Sequence, residues 1–486
     1  MKIAFIWPHA NTVYQTLPLS LAILRTTIKD QHHDVRLFNL PLEGWFADSP
    51  EFHDAIAAFQ PDLIAVSAWA VSFRSAVAAM QAAKACCPQA VTMCGGMYPT
   101  LSADQAWAPG VFDYLMQGEV EHTFPEFVRN LAAGELEAIA AIPGMYYRKP
   151  DGTLVRNARP MLPDDLDTCA RVDWEFLELE RCFARGYLST IMGAKRKVAM
   201  FASRGCEYAC HFCAAPLLNG HGLRHWSVEF VTSEIRHLYD RYGVRRICFM
   251  DDNGTQDRPF FKDLCRGIAA LGLRDLSVEL YRGIRLENLD EEMLHLMRQA
   301  GFDMATIAPE SGSERIRKLM HKEMTDADIR RAAKIIRDAG LSLQAYFILG
   351  YPGETAAERR ESYRFIYDLG LDVFSLHKYM ALPGTATFLK LVKNGNIERD
   401  HTDSSHLIGE GLPNYNGDLP ADIDREILFT YLKFYARYPW KIVHLLRMAS
   451  AGGLWRSLSG TARAGMKAMV GRGDPGTAVP AIRELM

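Results

Sequence analysis

Two blocks of the sequence alternate short apolar segments with amphipathic stretches, and this alternation restricts the fold more than any other feature. In residues 1–140 the helical stretches, such as SFRSAVAAMQAAKACC, separate the apolar segments KIAFIW, DVRLFNL, DLIAVSA, QAVTMCGG and FDYLMQG. Apolar strands separated by helices indicate βαβ units and a parallel sheet that is buried on both faces. We therefore predict a flavodoxin-like or Rossmann-like α/β domain over residues 1–140.

The second block covers residues 196–400 and repeats the alternation six times. Its apolar segments are KVAMFAS, RRICFMD, LSVELYR, FDMATIAP, SLQAYFILG and DVFSLHKY. Six βα units exceed what a small open sheet needs, and they predict a partial β/α barrel of the TIM type with its functional groups at the carboxyl ends of the strands. Residues 141–195 are interpreted as a linker that contains a hairpin turning at Asp151–Gly152, and residues 401–486 are expected to be helical.

Composition narrows the class of protein. The chain has 486 residues, which favours more than one domain, and its formal net charge of −3 argues against nucleic-acid binding through phosphate contacts. We see neither a signal peptide nor an apolar run long enough to span a membrane, so we expect a cytoplasmic protein. In that reducing compartment the ten cysteines are expected to act as metal ligands or catalytic groups rather than to form disulfides.

Three of those cysteines lie on one loop directly after the first strand of the second block: Cys206, Cys210 and Cys213. A structural zinc site normally takes four protein ligands, so zinc would need His211 as well, and three unrelated buried thiols are the other alternative. Three thiolates alone suit a [4Fe–4S] cluster whose fourth iron stays open for an outside ligand. We therefore predict that these three residues hold such a cluster.

The spacing Cys-x3-Cys-x2-Cys, with Phe212 before the last cysteine, resembles the signature of radical S-adenosylmethionine (SAM) enzymes. The resemblance implies that SAM binds the open iron and that an electron from the cluster cleaves it to methionine and a 5′-deoxyadenosyl radical. It also implies SAM-binding positions after later strands. These are Asp251 and Asp252 after the second strand, Arg285 after the third, Glu310, Ser311 and Ser313 after the fourth, and Pro352 and Gly353 after the fifth. Each residue could instead serve as a helix cap, a surface ion pair or a turn.

The first block resembles the cobalamin (B12)-binding domain that is fused to a large group of radical SAM enzymes, the class B methyltransferases among them. The residues assigned to cobalamin by this resemblance are Pro18, Leu19, Ser20, Ser67, Gly95, Gly96, Pro99, Thr100, Gly118 and Glu119. The Asp-x-His-x-x-Gly motif, whose histidine ligates cobalt, is absent because Val35 takes the place of the glycine. We therefore expect no histidine lower ligand, with His9 as the one rival.

The alternative for this domain is a plain flavodoxin-like sheet that binds another protein or a nucleotide. The sequence contains neither Gly-x-Gly-x-x-Gly after the first strand nor a phosphate loop, which weakens the nucleotide interpretation.

The leading interpretation is a cobalamin-dependent radical SAM methyltransferase that acts on an unactivated carbon of a small molecule. The resemblance implies that one SAM methylates cobalamin, that a second yields the radical, and that an electron donor such as flavodoxin or ferredoxin serves the cluster. Candidate catalytic residues beside the substrate are Tyr281, Tyr346, His377 and Tyr379.

Two other functions remain open. One is a relative that does not methylate, such as a cyclase, a ring-contracting enzyme or a deoxygenating enzyme. The other is a cobalamin and iron–sulfur sensor or assembly protein without turnover. The basic amphipathic segment 421–470 is expected to pack on the barrel mouth, with peripheral membrane contact as the alternative.

Overall fold

The structure is a computed structural model, and it describes residues 1–10, 16–149, 151–187, 196–398, 415–417 and 420–442. Its amino-terminal part is built on a seven-stranded sheet. The strands are β1 (Lys2–Trp7), β2 (Asp34–Asn39), β3 (Leu63–Ser67), β4 (Val91–Gly95), β5 (Tyr114–Met116), β6 (Met145–Arg148) and β7 (Leu154–Arg156). Their order is β2-β1-β3-β4-β5-β6-β7, and the first five are parallel. This is the flavodoxin-like order, so the predicted parallel-sheet domain is confirmed.

Helices cover both faces of this sheet. They are α1 (Leu19–Thr27), α2 (Leu40–Glu43), α3 (Pro50–Phe59), α4 (Phe73–Cys86), α5 (Met97–Leu101), α6 (Ala103–Trp107), α7 (Phe124–Ala133) and α8 (Leu136–Ala141). Alternate residues of β1 enter different cores, because successive side chains of a strand point to opposite faces. Ile6 packs in the core that contains α3 and α4, whereas Phe5 packs in the core that contains α1 and α7.

The hairpin predicted around Asp151–Gly152 forms, and it belongs to the first sheet. Strand β6 pairs antiparallel with β5, and β7 pairs antiparallel with β6. The sheet therefore extends to Arg156, within the stretch that the sequence analysis assigned to the linker. The linker continues through the short helix α9 (Leu179–Ala184).

The second part contains the six predicted strands and a two-residue antiparallel pair. The strands are β8 (Lys197–Met200), β9 (Ser203–Arg204), β10 (Arg224–His225), β11 (Arg246–Phe249), β12 (Ser277–Leu280), β13 (Met304–Glu310), β14 (Ser342–Leu349) and β15 (Val373–Lys378). Two parallel sheets, β8-β11-β12 and β13-β14-β15, are joined by the parallel bridges Val278–Phe302 and Ile284–Ile307. Together they form the wall of a partial barrel, as predicted.

Helices follow the barrel strands and pack outside them. They are α10 (Ala215–Asn219), α11 (Val228–Tyr242), α12 (Arg258–Ala270), α13 (Glu291–Gln299), α14 (Glu314–Leu319), α15 (Asp326–Asp338), α16 (Ala356–Asp368), α17 (Ala386–Lys393) and α18 (Pro420–Arg437). Near the amino ends of the strands, buried Glu279 pairs with Lys197 and Arg246, and Arg246 also pairs with Asp303. This ion-pair network thus lies toward the opposite end of the strands from the cysteine loop.

Helix α18 packs on the last strand through Tyr431 and Phe434, whose rings contact Phe374. Leu432 and Trp440 are exposed. No helix among the described residues has the length and apolarity needed to cross a membrane. Most of the amphipathic tail, from residue 443 onward, lies outside the described residues, so its predicted packing and its membrane contact stay predictions.

Candidate functional site

The cysteine loop runs from β9 to α10 at the carboxyl end of β8. The antiparallel pairing of Arg204 with Arg224 closes the segment that contains this loop and α10. Gly205, directly before Cys206, has a φ of +93°, and a Cβ on it would collide with the carbonyl oxygen of Gly222. A glycine is therefore required where the chain turns into the loop.

Cys206, Cys210 and Cys213 are partly buried, and two of the sulfurs receive N–H donors. The Cys206 sulfur accepts the Asn253 amide at 3.9 Å, and the Cys213 sulfur accepts the Ala215 backbone N–H at 3.5 Å. Burial, and then the nearby Cys210 thiol, raise the pKa of Cys206, and burial raises the pKa of Cys213 to about 11. N–H donors to sulfur stabilise ligating thiolates and help to set a cluster's reduction potential, so this set of groups fits an iron–sulfur cluster.

The middle of the loop is held by the segment after α14. The His211 ring lies 3.2 Å from the Leu319 carbonyl oxygen and stacks on the His321 ring at 4.9 Å, and His321 in turn lies 3.1 Å from the Ala209 carbonyl oxygen. The aromatic Phe212 packs against an apolar cluster that includes Met320. His211 thus has a structural partner, and the described residues contain no group of three or more His, Cys, Asp or Glu side chains arranged around one metal ion.

Arg285, after β12, has unsatisfied donors beside this loop. Its guanidinium lies over the Tyr208 ring at 3.7 Å, and its Nη2 donates to Glu287 at 2.6 Å. Its Nε and Nη1 are buried and have no hydrogen-bond partner among the described residues. Because buried unpaired donors are costly, this arrangement fits a ligand that brings a carboxylate, such as the methionine part of SAM.

The two aspartates after β11 have different surroundings. Asp251 is buried, and its carboxylate accepts the Ser203 hydroxyl and the Ala202 N–H at 2.5 and 3.1 Å. Burial raises the pKa of Asp251 to about 6, although these hydrogen bonds oppose the rise. Asp252 pairs with Arg282 and accepts the Asn219 amide at 2.5 Å. Both acids thus fix the strand ends around the cysteine loop, and their contact with SAM stays a prediction.

Strand β13 ends in a strained residue. Glu310 has a φ of +66° beside a shift in strand register, and its carboxylate lies 2.6 Å from the Lys322 ammonium. Ser311 and Ser313 are buried against α16. The Gly312 N–H donates to the Ser362 hydroxyl, which lies 3.4 Å from the Ser311 hydroxyl, and Ser313 donates to Glu358 at 3.1 Å. The two serines therefore have hydrogen-bond partners in α16. Glu310 lies at the carboxyl end of β13 and has Lys322 as its partner.

The turn after β14 holds Pro352 and Gly353, the latter with a φ of +88°. The Gly353 N–H donates to the Asn416 side chain at 2.7 Å. Glu354, which the sequence analysis overlooked, is buried and accepts the Gly350 N–H at 2.6 Å. Burial raises its pKa to about 7. The signal in the sequence that could have identified Glu354 is its position, because it is an acidic residue directly after a glycine–proline turn at a strand end.

Three of the four candidate catalytic residues come together. The Tyr346 hydroxyl donates to the Tyr281 carbonyl oxygen at 2.8 Å, and the Tyr346 and His377 rings meet edge to face at 5.9 Å. Burial lowers the pKa of His377, which Glu310 partly offsets. Tyr379 instead packs against Tyr351 at 4.9 Å, in the apolar cluster that Phe212 contacts.

In the first domain, small residues line the carboxyl edge of the sheet. Ser20 donates to Ser67 at 3.2 Å across the switch point between β1 and β3, where open parallel sheets bind ligands. Gly96 has a φ of +98°, and a Cβ on it would lie 2.9 Å from the Ala68 carbonyl oxygen. Paired hydroxyls and a side-chain-free turn at this edge fit a broad polar ligand such as cobalamin.

The other residues assigned to cobalamin surround this edge. Pro18 is the N-cap of α1 and Leu19 is its first residue, and the Gly95 carbonyl accepts the Ala68 N–H at 2.9 Å. Thr100 donates to the Gly96 carbonyl at 2.7 Å and accepts the Gly118 N–H at 3.0 Å. The Pro99 carbonyl accepts the Gln117 side chain at 2.9 Å.

His9 is hydrogen bonded at this edge. Its Nε2 lies 2.8 Å from the Trp45 carbonyl oxygen, and its ring stacks on Phe46 at 4.5 Å. Burial lowers the pKa of His9.

Glu119 has a different environment from its neighbours. Its two carboxylate oxygens pair with Arg204 at 2.8 Å and Arg224 at 2.5 Å, and both arginines flank the cysteine loop. The structure therefore uses the predicted cobalamin contact as a link between the two domains.

With this geometry in place, two family comparisons define the class. The radical SAM superfamily matches residues 200–366, which include the cysteine loop and most of the barrel. The B12 binding domain matches residues 9–128, which cover most of the first sheet. The chain is thus a radical SAM protein. More specifically, it belongs with the radical SAM proteins that carry a B12-binding domain.

Several named proteins share both parts. The chain is 24% identical over 444 residues to cytidylyl-2-hydroxyethylphosphonate methyltransferase of Streptomyces wedmorensis, which covers 83% of each chain. It is 24% identical to the anaerobic magnesium-protoporphyrin IX monomethyl ester cyclase of Cereibacter sphaeroides, over 97% of this chain and 73% of the cyclase.

Among solved structures, the methyltransferase TsrM of Kitasatospora setae, with cobalamin and a [4Fe-4S] cluster bound, gives a TM-score of 0.65. The two chains are 17% identical, and the match covers 81% of this chain and 75% of TsrM. This likeness confirms the predicted fold.

Proposed function

We propose that this protein is a cobalamin-dependent radical SAM methyltransferase that methylates an unactivated carbon of a small molecule. The observation that carries the proposal is the cysteine loop at the barrel mouth, which lies beside two unpaired donors of the Arg285 guanidinium and is joined by ion pairs to the B12-binding domain. When bound, the cluster supplies an electron for SAM cleavage, and cobalamin carries the methyl group.

The residues of the chain divide the work between them. Cys206, Cys210 and Cys213 would hold three irons, and Arg285 would orient the SAM carboxylate against the fourth. Ser20 and Ser67 would contact cobalamin at the edge of the first sheet. Tyr346 and His377 meet edge to face near the carboxyl ends of β14 and β15, and these side chains would position the substrate. Such positioning is essential because a substrate radical must meet its partner before it reacts elsewhere.

The test is product analysis of the anaerobically reconstituted protein. Protein loaded with cluster and cobalamin should convert SAM, with titanium(III) citrate as reductant, into both 5′-deoxyadenosine and S-adenosylhomocysteine. Omission of cobalamin should abolish S-adenosylhomocysteine and spare 5′-deoxyadenosine. A fully loaded protein that releases neither compound would contradict the proposal and leave the sensor or assembly role.

A second candidate, a reaction without methylation, is favoured by the cyclase relative that matches 97% of this chain. It predicts 5′-deoxyadenosine without S-adenosylhomocysteine when the substrate is present. Screening candidate substrates for both compounds therefore separates the two functions.

A further inference from the structure

Four charged side chains connect the two domains beside the cysteine loop. Glu119 and Glu121 follow β5 of the first domain, Arg204 lies in β9 two residues before Cys206, and Arg224 lies in β10. We call this group the domain clasp. Arg204 pairs with Glu119 at 2.8 Å and with Glu121 at 2.7 Å, and Arg224 binds both oxygens of Glu119 at 2.5 and 3.1 Å.

The clasp is buried and its charges balance. The four side chains are between 7% and 12% exposed. Burial alone would raise the pKa of Glu121, but the Arg204 charge lowers it, so the carboxylate remains ionised. The Arg204 guanidinium also lies over the Trp226 ring at 5.1 Å. Because unpaired buried charges are costly, two carboxylates and two guanidiniums hold one another in a narrow range of geometries.

The clasp is connected to the barrel mouth. Arg224 donates to the Asn219 carbonyl at 2.9 Å, and the Asn219 side chain donates to Asp252 at 2.5 Å. Nearby, Arg159 of the linker donates to the Leu217 carbonyl at 2.6 Å and to the Thr100 carbonyl of the first domain. Displacing the first domain would therefore displace both ends of the cysteine loop.

We propose that Glu119, Glu121, Arg204 and Arg224 are positioning residues that set the separation between the cysteine loop and the cobalamin edge of the first sheet. This inference rests on the proposed function. The clasp acts mainly on methyl transfer across the domain interface, and its loss should reduce SAM cleavage within the barrel much less.

The experiment compares E119Q with E43Q in reconstituted full-length protein. Glu43 of the first domain also forms an ion pair outside that domain, with Arg181 at 2.8 Å, but this pair joins the first domain to helix α9 of the linker and not to the cysteine loop, and it is partly exposed. With SAM and titanium(III) citrate, E119Q should form at least about tenfold less S-adenosylhomocysteine per 5′-deoxyadenosine, since small displacements of reacting groups are costly. The E43Q ratio should stay within about twofold of wild type, because exposed pairs contribute little.

Two readouts do not depend on turnover. Electron paramagnetic resonance should show a weaker or more widely distributed magnetic coupling between the reduced cluster and cob(II)alamin in E119Q. In the protein without cofactors, hydrogen–deuterium exchange should increase in residues 203–225 of E119Q and remain unchanged there in E43Q. If E119Q does not fold, R224K keeps the charge, weakens the two-pronged contact with Glu119, and should change all three readouts in the same direction.

The outcomes separate the two proposals. If the product ratio, the magnetic coupling and the hydrogen exchange are all unchanged in a folded E119Q or R224K protein, the proposed positioning role of the clasp is wrong. The wild-type protein could also form no S-adenosylhomocysteine while the variants still show altered magnetic coupling and hydrogen exchange. That result would support the positioning role of the clasp and contradict the proposed methyltransferase function.

Discussion

The barrel and the first domain both have their candidate ligand-binding edge at the carboxyl ends of parallel strands. The two edges carry different kinds of residues. The barrel edge carries thiols, acids and an arginine, several of them buried with shifted pKa values, such as Asp251 and Glu354. The first domain's edge carries small side chains and open backbone, as at Ser67 and Gly96. An iron–sulfur cluster and a charged cosubstrate need side chains of specific chemistry, such as thiols and charged groups. A broad macrocycle instead needs a surface of matching shape with few side chains in the way. The following experiments test that difference.

The largest effect is expected from the thiols. Replacing Cys206, Cys210 and Cys213 together with alanine should reduce iron from about four atoms per chain to none and abolish 5′-deoxyadenosine. Cys86→Ala is the matched control, since Cys86 is partly buried in the other domain. Iron analysis and chromatography of the reaction products give the answer. Retained iron and SAM cleavage in the triple variant would refute the assignment of the barrel edge.

The next effect concerns Arg285. Its alanine variant should raise the dissociation constant for SAM by at least about thirtyfold, because two charged hydrogen bonds from Nε and Nη1 are lost. Iron content should not change. Arg266→Ala, which removes an exposed ion pair on α12, serves as the control. Calorimetric titration of the reconstituted protein measures the affinity. Equal affinities for SAM in the two variants would mean that the buried donors face another ligand.

Asp251 gives a pH-dependent effect. A folded-state pKa of about 6, above the ordinary value of 3.8, means that the folded protein retains a proton that the unfolded chain releases. Stability from this group is therefore full below pH 3.8 and is lost as pH rises through 6. Relative to Asp251→Asn, the wild-type free energy of unfolding should fall by about 2 kcal/mol between pH 4.5 and 7.

Urea unfolding of both apoproteins at several pH values measures this difference. A difference between wild type and Asp251→Asn that does not vary with pH would show that the hydrogen bonds from Ser203 and Ala202 offset the burial of the carboxyl group. Asp263→Asn, an exposed substitution on α12, is the matched control.

The smallest effect is expected in the first domain. Ser20→Ala removes one hydroxyl from the sheet edge and should weaken cobalamin binding by about threefold to fivefold, the contribution of one neutral hydrogen bond. Thr26→Ala is the control: its hydroxyl lies on the same helix but donates to the Ala22 carbonyl, so its loss should leave the affinity for cobalamin unchanged. Absorbance titration with hydroxocobalamin distinguishes them. A hundredfold loss at Ser20 would show that this edge depends on a specific side chain, and the contrast with the barrel edge would fail.

The sequence predictions succeeded where the interactions that form an element are local along the chain. The strands of both sheets were predicted because apolar segments recur along the chain, and the hairpin was predicted because Asp151–Gly152 suits its turn. Whether the hairpin joined the first sheet depended on pairing with β5, which lies far from the turn in sequence. Among the four candidate catalytic residues, strand position alone did not separate Tyr379 from the three that meet.

The sequence by itself determined the two classes of sheet and the three-thiol loop, because periodicity and spacing over a few residues are local properties of the chain. The tertiary structure alone decided that Glu119 pairs with arginines beside the cysteine loop and that Arg285 keeps buried donors unpaired. The Glu119 ion pairs depend on how two independently patterned domains dock, and the environment of Arg285 depends on how two barrel loops pack. Contacts between residues about a hundred positions apart leave no periodic trace in the sequence.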